Sequence, residues 1–169
     1  MLDQANAMLS SIRNEYINEE VKIELSYRDE DSGGIAAQLD SGALKQGNFK
    51  IVVYRACTSF GLDIVLRHEL MHIRDILNPD FKFDLEYLYS GDTKEKIKEI
   101  AMVQGIWDLC IDLRLEQANF KGVYSVDERI RDFNNTHNKS IQKASVLNLL
   151  TSNRFCLDEI KRVCNRLAN

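Results

Sequence analysis

Two of the three histidines in this 169-residue chain fall four apart in Arg67-His68-Glu69-Leu70-Met71-His72-Ile73-Arg74-Asp75. This is an H-E-x-x-H run whose apolar residues recur at helical spacing. On an α-helix each residue advances by about 100°, so His68 and His72 project from one face within a turn of each other, and two imidazoles can share one metal ion. Glu69 lies one step round from His68, close enough to reach a water on that metal without being a ligand. These residue types at this spacing could hold Zn2+ and supply a general base, as metal-assisted hydrolysis requires. H-E-x-x-H also arises by chance in unrelated helices. Against chance, paired histidines inside an apolar pattern would otherwise need other hydrogen-bonding partners.

A catalytic zinc takes three protein ligands as a rule and keeps a position for water. The third is expected on a later helix, where Asp108 and Asp112 share a face within Trp107-Asp108-Leu109-Cys110-Ile111-Asp112-Leu113-Arg114-Leu115-Glu116. Buried carboxylates in such an apolar setting need a metal or a cation. Asp112 is the preferred ligand, with Asp108 in support through the second ring nitrogen of a ligand histidine; Asp108 as ligand is the alternative. Gly105, one turn earlier, would let this helix approach another closely. Competing readings pair both aspartates with backbone or with Arg67, Arg74 or Arg114. Glu116 and Glu86 are outlying ligand candidates. His137, in the polar run Asn134 to Lys139, reads as a solvated loop residue, although it or one of Tyr54, Tyr87, Tyr89 and Tyr124 could donate to an oxyanion.

The elements that must position these residues follow from periodicity. Ala5, Met8, Leu9, Ile12 and Tyr16 mark an amphipathic helix over 3–17. Val21, Ile23, Leu25 and Tyr27 alternate with polar residues, predicting a half-buried strand, with Asp29 to Gly34 as its turn. Further strands are expected over Ile35 to Asp40 and Asn48 to Ala56, separated by Ser41-Gly42 and Gln46-Gly47-Asn48. Thr58 or Ser59 would cap the H-E-x-x-H helix, which Asn78-Pro79 stops near Leu77. The aromatic-rich stretch 78–93 lacks a period and reads as an ordered loop with a short helical turn. A long helix spans about Lys94 to Gln117. Three more follow: one opened by a capping box of Ser125 and Glu128, one over 140–151 and one over 155–167. The expected class is α+β, with a small three- to four-stranded sheet, an active-site helix and a largely helical C-terminal half.

Length bounds this to one domain over 1–169, made of helix and sheet (1–57), the active-site and acidic helices (58–118) and closing helices (119–169). The 44% hydrophobic and 28% charged content is that of a globular protein. A net charge of −4 without a Lys/Arg block argues against nucleic-acid or anionic-membrane partners. The start Met1-Leu2-Asp3-Gln4 has neither a basic nor an apolar leader, and no stretch approaches membrane-spanning length, so a cytoplasmic location is expected. Cys57, Cys110, Cys156 and Cys164 form no C-x-x-C pair and predict packed thiols rather than a disulfide framework.

With H-E-x-x-H followed by an acidic helix, the chain resembles the zincin metallopeptidases, and among them the gluzincin-like branch. Residues 21–117 carry the likeness in motif and in order of elements. The pattern Trp107-Asp108-x-x-x-Asp112-x-Arg114-Leu115-Glu116 is similar to helices of small prokaryotic metallopeptidases. The resemblance implies His68 and His72 as zinc ligands, Glu69 as base, a peptide or protein substrate, and the strand Asn48 to Ala56 as the edge on which the peptide lies. Alignment with the thermolysin-like N-E-x-x-x-D pattern makes Asp108 the ligand and Asp112 its support, and the aspartate here where that pattern has glutamate leaves both assignments open. Two other function classes compete. One is a zinc-binding regulatory module or latent zincin, its metal covered by the helices after Gln117 or by the aromatic loop. The other is a structural helical domain with a coincidental motif.

Overall fold

The computed structural model describes residues 2–17, 21–30, 37–55, 61–152 and 155–168. They fall into two compact units, Met1–Leu77 and Asn78–Asn169. The class is α+β, with a three-stranded mixed sheet in the first unit.

The first unit opens with α1 (Leu2–Ile12), which buries Ala5, Leu9 and Ile12 at spacings of four and three. The expected helix to residue 17 tightens instead into a 3₁₀ turn over Arg13–Glu15. Three strands follow, β1 (Ile23–Arg28), β2 (Ala37–Leu39) and β3 (Phe49–Tyr54). They lie in the order β1-β3-β2. Strand β3 runs parallel to β1, Ile23 opposite Phe49, and antiparallel to β2, Ala37 opposite Val53. The strand expected to offer the substrate edge is therefore the centre of the sheet, with neighbours on both sides. The reason is legible in composition. Phe49, Ile51, Val52, Val53 and Tyr54 are all buried, and an unbroken apolar run marks a strand covered on both faces. The alternating β1 is an outer strand, as is β2 among the described residues.

Between β2 and β3, Ser41-Gly42, expected as turn punctuation, opens a five-residue helix, α2 (Ser41–Lys45), and Gln46-Gly47-Asn48 follows it outside the helix. The Asp40 carboxylate accepts from the Ala43 N–H at 2.9 Å, satisfying an orphan donor of the first turn. Gly47, at φ +74°, lets the chain reverse into β3. Helix α3 (Leu62–Leu77) carries the H-E-x-x-H run and ends where expected. Its proposed caps, Thr58 and Ser59, lie outside the described residues, as do Cys57, Ala56 and most of the expected Asp29 to Gly34 turn.

In the second unit the aromatic stretch matches the expected ordered loop with a short helical turn, and carries two such turns. A 3₁₀ turn over Pro79–Phe81 is capped by Asn78, and α4 (Leu85–Tyr89) by Asp84. Phe81 stacks on Trp107 at 5.0 Å between centroids and meets Phe155 at 5.5 Å. Phe83 also packs on Trp107. Phe81 and Trp107 are buried in the core of this unit, with Phe83 and Phe155 half-buried against them. Helix α5 (Lys94–Gln117) has the expected bounds, with Thr93 as its N-cap. Around it pack α6 (Val126–His137), α7 (Lys143–Thr151) and α8 (Leu157–Ala168). The Ser125–Glu128 capping box is present in full. Cys110, Cys156 and Cys164 are buried, with no disulfide among them. No helix among the described residues is long and apolar enough to cross a membrane.

Candidate metal centre

Helix α3 is buried over most of its girth, with Leu66, Leu70 and Ile73 at 0% exposure. Those side chains fix its rotation, which decides where the histidines point. Arg67 adds a polar pin. Its guanidinium bonds the Glu15 carboxylate, donates to the Tyr16 hydroxyl at 3.0 Å and lies over the Tyr16 ring. Burial opposes the Arg67 charge, yet Glu15 and Tyr16 outweigh it and hold its pKa above the ordinary value.

His68 is buried and His72 half-buried, their rings 5.0 Å apart at 68°. The two Nε2 atoms are 3.2 Å apart. Two nitrogens bound to one zinc at about 2.0–2.1 Å, at a near-tetrahedral angle, lie about 3.3 Å apart, so the pair fits a shared tetrahedral ion. A single N–H···N bond also accommodates that distance. Either way the rings converge on one point. Glu69 is buried beside them at 6% exposure.

The second unit holds the aspartates on α5 and answers them with a residue that sequence reasoning missed. Arg129 of α6 donates from Nε to Asp112 Oδ2 at 2.9 Å, and its terminal nitrogen lies 3.7 Å from Asp108 Oδ2. The Asp112 side chain has no exposure, whereas that of Asp108 is 29% exposed. Burial opposes the Arg129 charge, but the two carboxylates prevail and raise its pKa. Tyr124 lies under the guanidinium at 4.7 Å. Gly122 closes over Asp112, where an added Cβ would sit 3.2 Å from Oδ1. An arginine does pair with both aspartates, as one competing reading expects, though Arg129 is not among the three it names. Arg67 is held by Glu15, and Arg114 bonds the Cys110 carbonyl and covers Phe155. A buried carboxylate such as Asp112 signals that a cation is needed, yet it cannot say which one, 17 residues away, will arrive.

Gly105 does permit close approach, and the partner helix is α6. A Cβ there would stand 2.9 Å from Phe133 and 4.0 Å from His137 Nε2. His137 is thus not a solvated loop residue. It closes α6, half-buried against the Phe133 ring at 4.6 Å, and burial lowers its pKa against an opposing pull from Asp132. Of the other candidates, Glu116 is exposed and pairs with Lys143, and Glu86 is exposed. Among the tyrosines, the Tyr54 hydroxyl accepts from Gln38 and that of Tyr87 donates to Glu99, while Tyr124 supports Arg129. Comparison with protein-family models, with curated proteins and with solved structures finds no match to this chain.

Proposed function

We propose that the protein is a zinc-dependent metallopeptidase, with His68, His72 and Asp108 holding the metal and Glu69 acting as general base. The observation that carries the proposal is the convergence of the His68 and His72 Nε2 atoms to 3.2 Å on a helix that also buries Glu69. Two imidazole nitrogens and one carboxylate oxygen are a donor set typical of catalytic zinc. Asp108 is preferred to Asp112 because the latter is wholly enclosed and already engaged by Arg129 and the Gly122 loop. A carboxylate so enclosed is suited to hold its neighbours in place.

Zinc bound there would polarise a peptide carbonyl and make water a competent nucleophile near neutral pH. Glu69 takes the proton released as water attacks and delivers it to the leaving amine, one carboxylate serving as base and then acid. An extended substrate would add to an outer strand of the sheet, β1 or β2, through backbone hydrogen bonds. Metal analysis of purified protein, with a peptide-hydrolysis screen, tests the reading on wild type and His72→Ala. Wild type should carry about one zinc per chain and cleave, and His72→Ala should lose both. Equal metal content in the two proteins would overturn it.

A further inference from the structure

We propose that Arg129 is a positioning residue for the metal-binding carboxylate. In this arrangement Asp112 aims Arg129, and Arg129 in turn restrains Asp108. The inference rests on the metal-site reading above and assigns a role to a residue outside the H-E-x-x-H run and outside the acidic helix.

The geometry gives the order of the relay. The shorter contact, 2.9 Å from Arg129 Nε, goes to the carboxylate with no exposure, Asp112. The looser one, 3.7 Å from the terminal nitrogen, goes to the carboxylate that is 29% exposed, Asp108. A guanidinium is planar and presents donors in a fixed fork, so fixing Nε on Asp112 also fixes where the outer nitrogen points. Tyr124, 4.7 Å below, and the Gly122 loop against Asp112 hold the assembly from the far side. Both contacts use Oδ2 atoms, and Asp108 and Asp112 are one turn apart on α5. Arg129 therefore restrains one oxygen of Asp108 and so orients the carboxylate. Groups that orient a ligand in this way are worth about 10–100-fold in metal affinity.

Arg129→Lys is the deciding variant. It keeps a cation beside the buried Asp112 but gives up the fork that reaches both acids. Co2+ is the probe, its affinity read by chelator competition and its coordination by the visible spectrum, with melting of the metal-free protein as a control for folding. The expected result is Co2+ affinity weakened about tenfold or more and a changed spectrum, with the metal-free protein still folded. Arg129→Met should weaken binding further, and if that protein does not fold the lysine variant decides alone. Wild-type affinity with an unaltered spectrum in Arg129→Lys overturns the inference and leaves the metal-site reading standing. Failure of the wild-type protein itself to bind Co2+ overturns both.

Discussion

At the scale of single residues, the acid pair on α5 separates into two environments. Asp112 is sealed beneath Arg129 and Gly122, and Asp108, one turn earlier, retains partial exposure. If Asp108 is the ligand, Asp108→Asn should abolish tight zinc binding, because a neutral amide is a poor donor to zinc. Asp112→Asn keeps an oxygen for the Arg129 Nε–H, so it should weaken zinc binding by no more than about 10–100-fold. Chelator competition on the two proteins measures both, and the reverse ranking would restore Asp112 as ligand. The sequence made the aspartates conspicuous because charged residues in a Trp-Leu-Cys-Ile run demand partners. It could not rank them, since ranking depends on Arg129, which comes from another helix. The two histidines needed no such help, because both belong to one turn of one helix and the 3.6-residue repeat alone brings their nitrogens together.

At the scale of elements, the strongly periodic segments are those whose bounds the sequence reveals. Helix α5 begins after a threonine cap and runs the expected 24 residues, and α3 stops before Asn78-Pro79. Shorter pieces escape because five residues do not complete two helical turns. Helix α2 is decided by one carboxylate, Asp40, accepting one N–H. The end of α6 was hidden for a different reason. Asn134-Asn135-Thr136 has loop composition, yet Asn134 donates to and accepts from Ile141, and Asn138 adopts the left-handed conformation that terminates the helix.

That termination places His137 against Phe133 and gives it a pH signature. An unfolded histidine titrates near pH 6.5, and burial holds the folded imidazole lower. Between those two values the unfolded chain binds the extra proton. The stabilising contribution is therefore complete above about pH 6.5 and is lost as the pH falls through the folded value. Urea unfolding at a series of pH values from 7.5 to 5 should show a shallower loss of stability for His137→Asn than for wild type. Parallel profiles would show that His137 contributes nothing to that slope.

For the whole molecule, the chain divides into two compact units, one carrying the H-E-x-x-H helix and the other the acidic helix. A metal that binds only the folded chain should stabilise it by mass action. At a free zinc concentration about 100 times the dissociation constant, the gain is about 2.7 kcal/mol, equivalent to a melting shift of about 5–10 °C at this chain length. Thermal melts with added zinc, then with excess chelator, should show that shift and its reversal. An unchanged melting temperature would count against a metal held by the folded protein. The α+β class was legible from alternation in β1 and helical periods after residue 58. The strand order was not, since β1 and β2 reach β3 through pairings that no local pattern specifies.

The central claim is that Glu69 does chemistry at a metal it does not bind. The most direct measurement compares wild type with Glu69→Gln, each loaded with one equivalent of zinc, for zinc retention and for hydrolysis of a peptide library. Glutamine preserves the shape of the side chain and removes its capacity to take a proton. The predicted result is equal zinc content with hydrolysis reduced by about 10²–10⁴-fold in Glu69→Gln. Undiminished hydrolysis by zinc-loaded Glu69→Gln would contradict the claim.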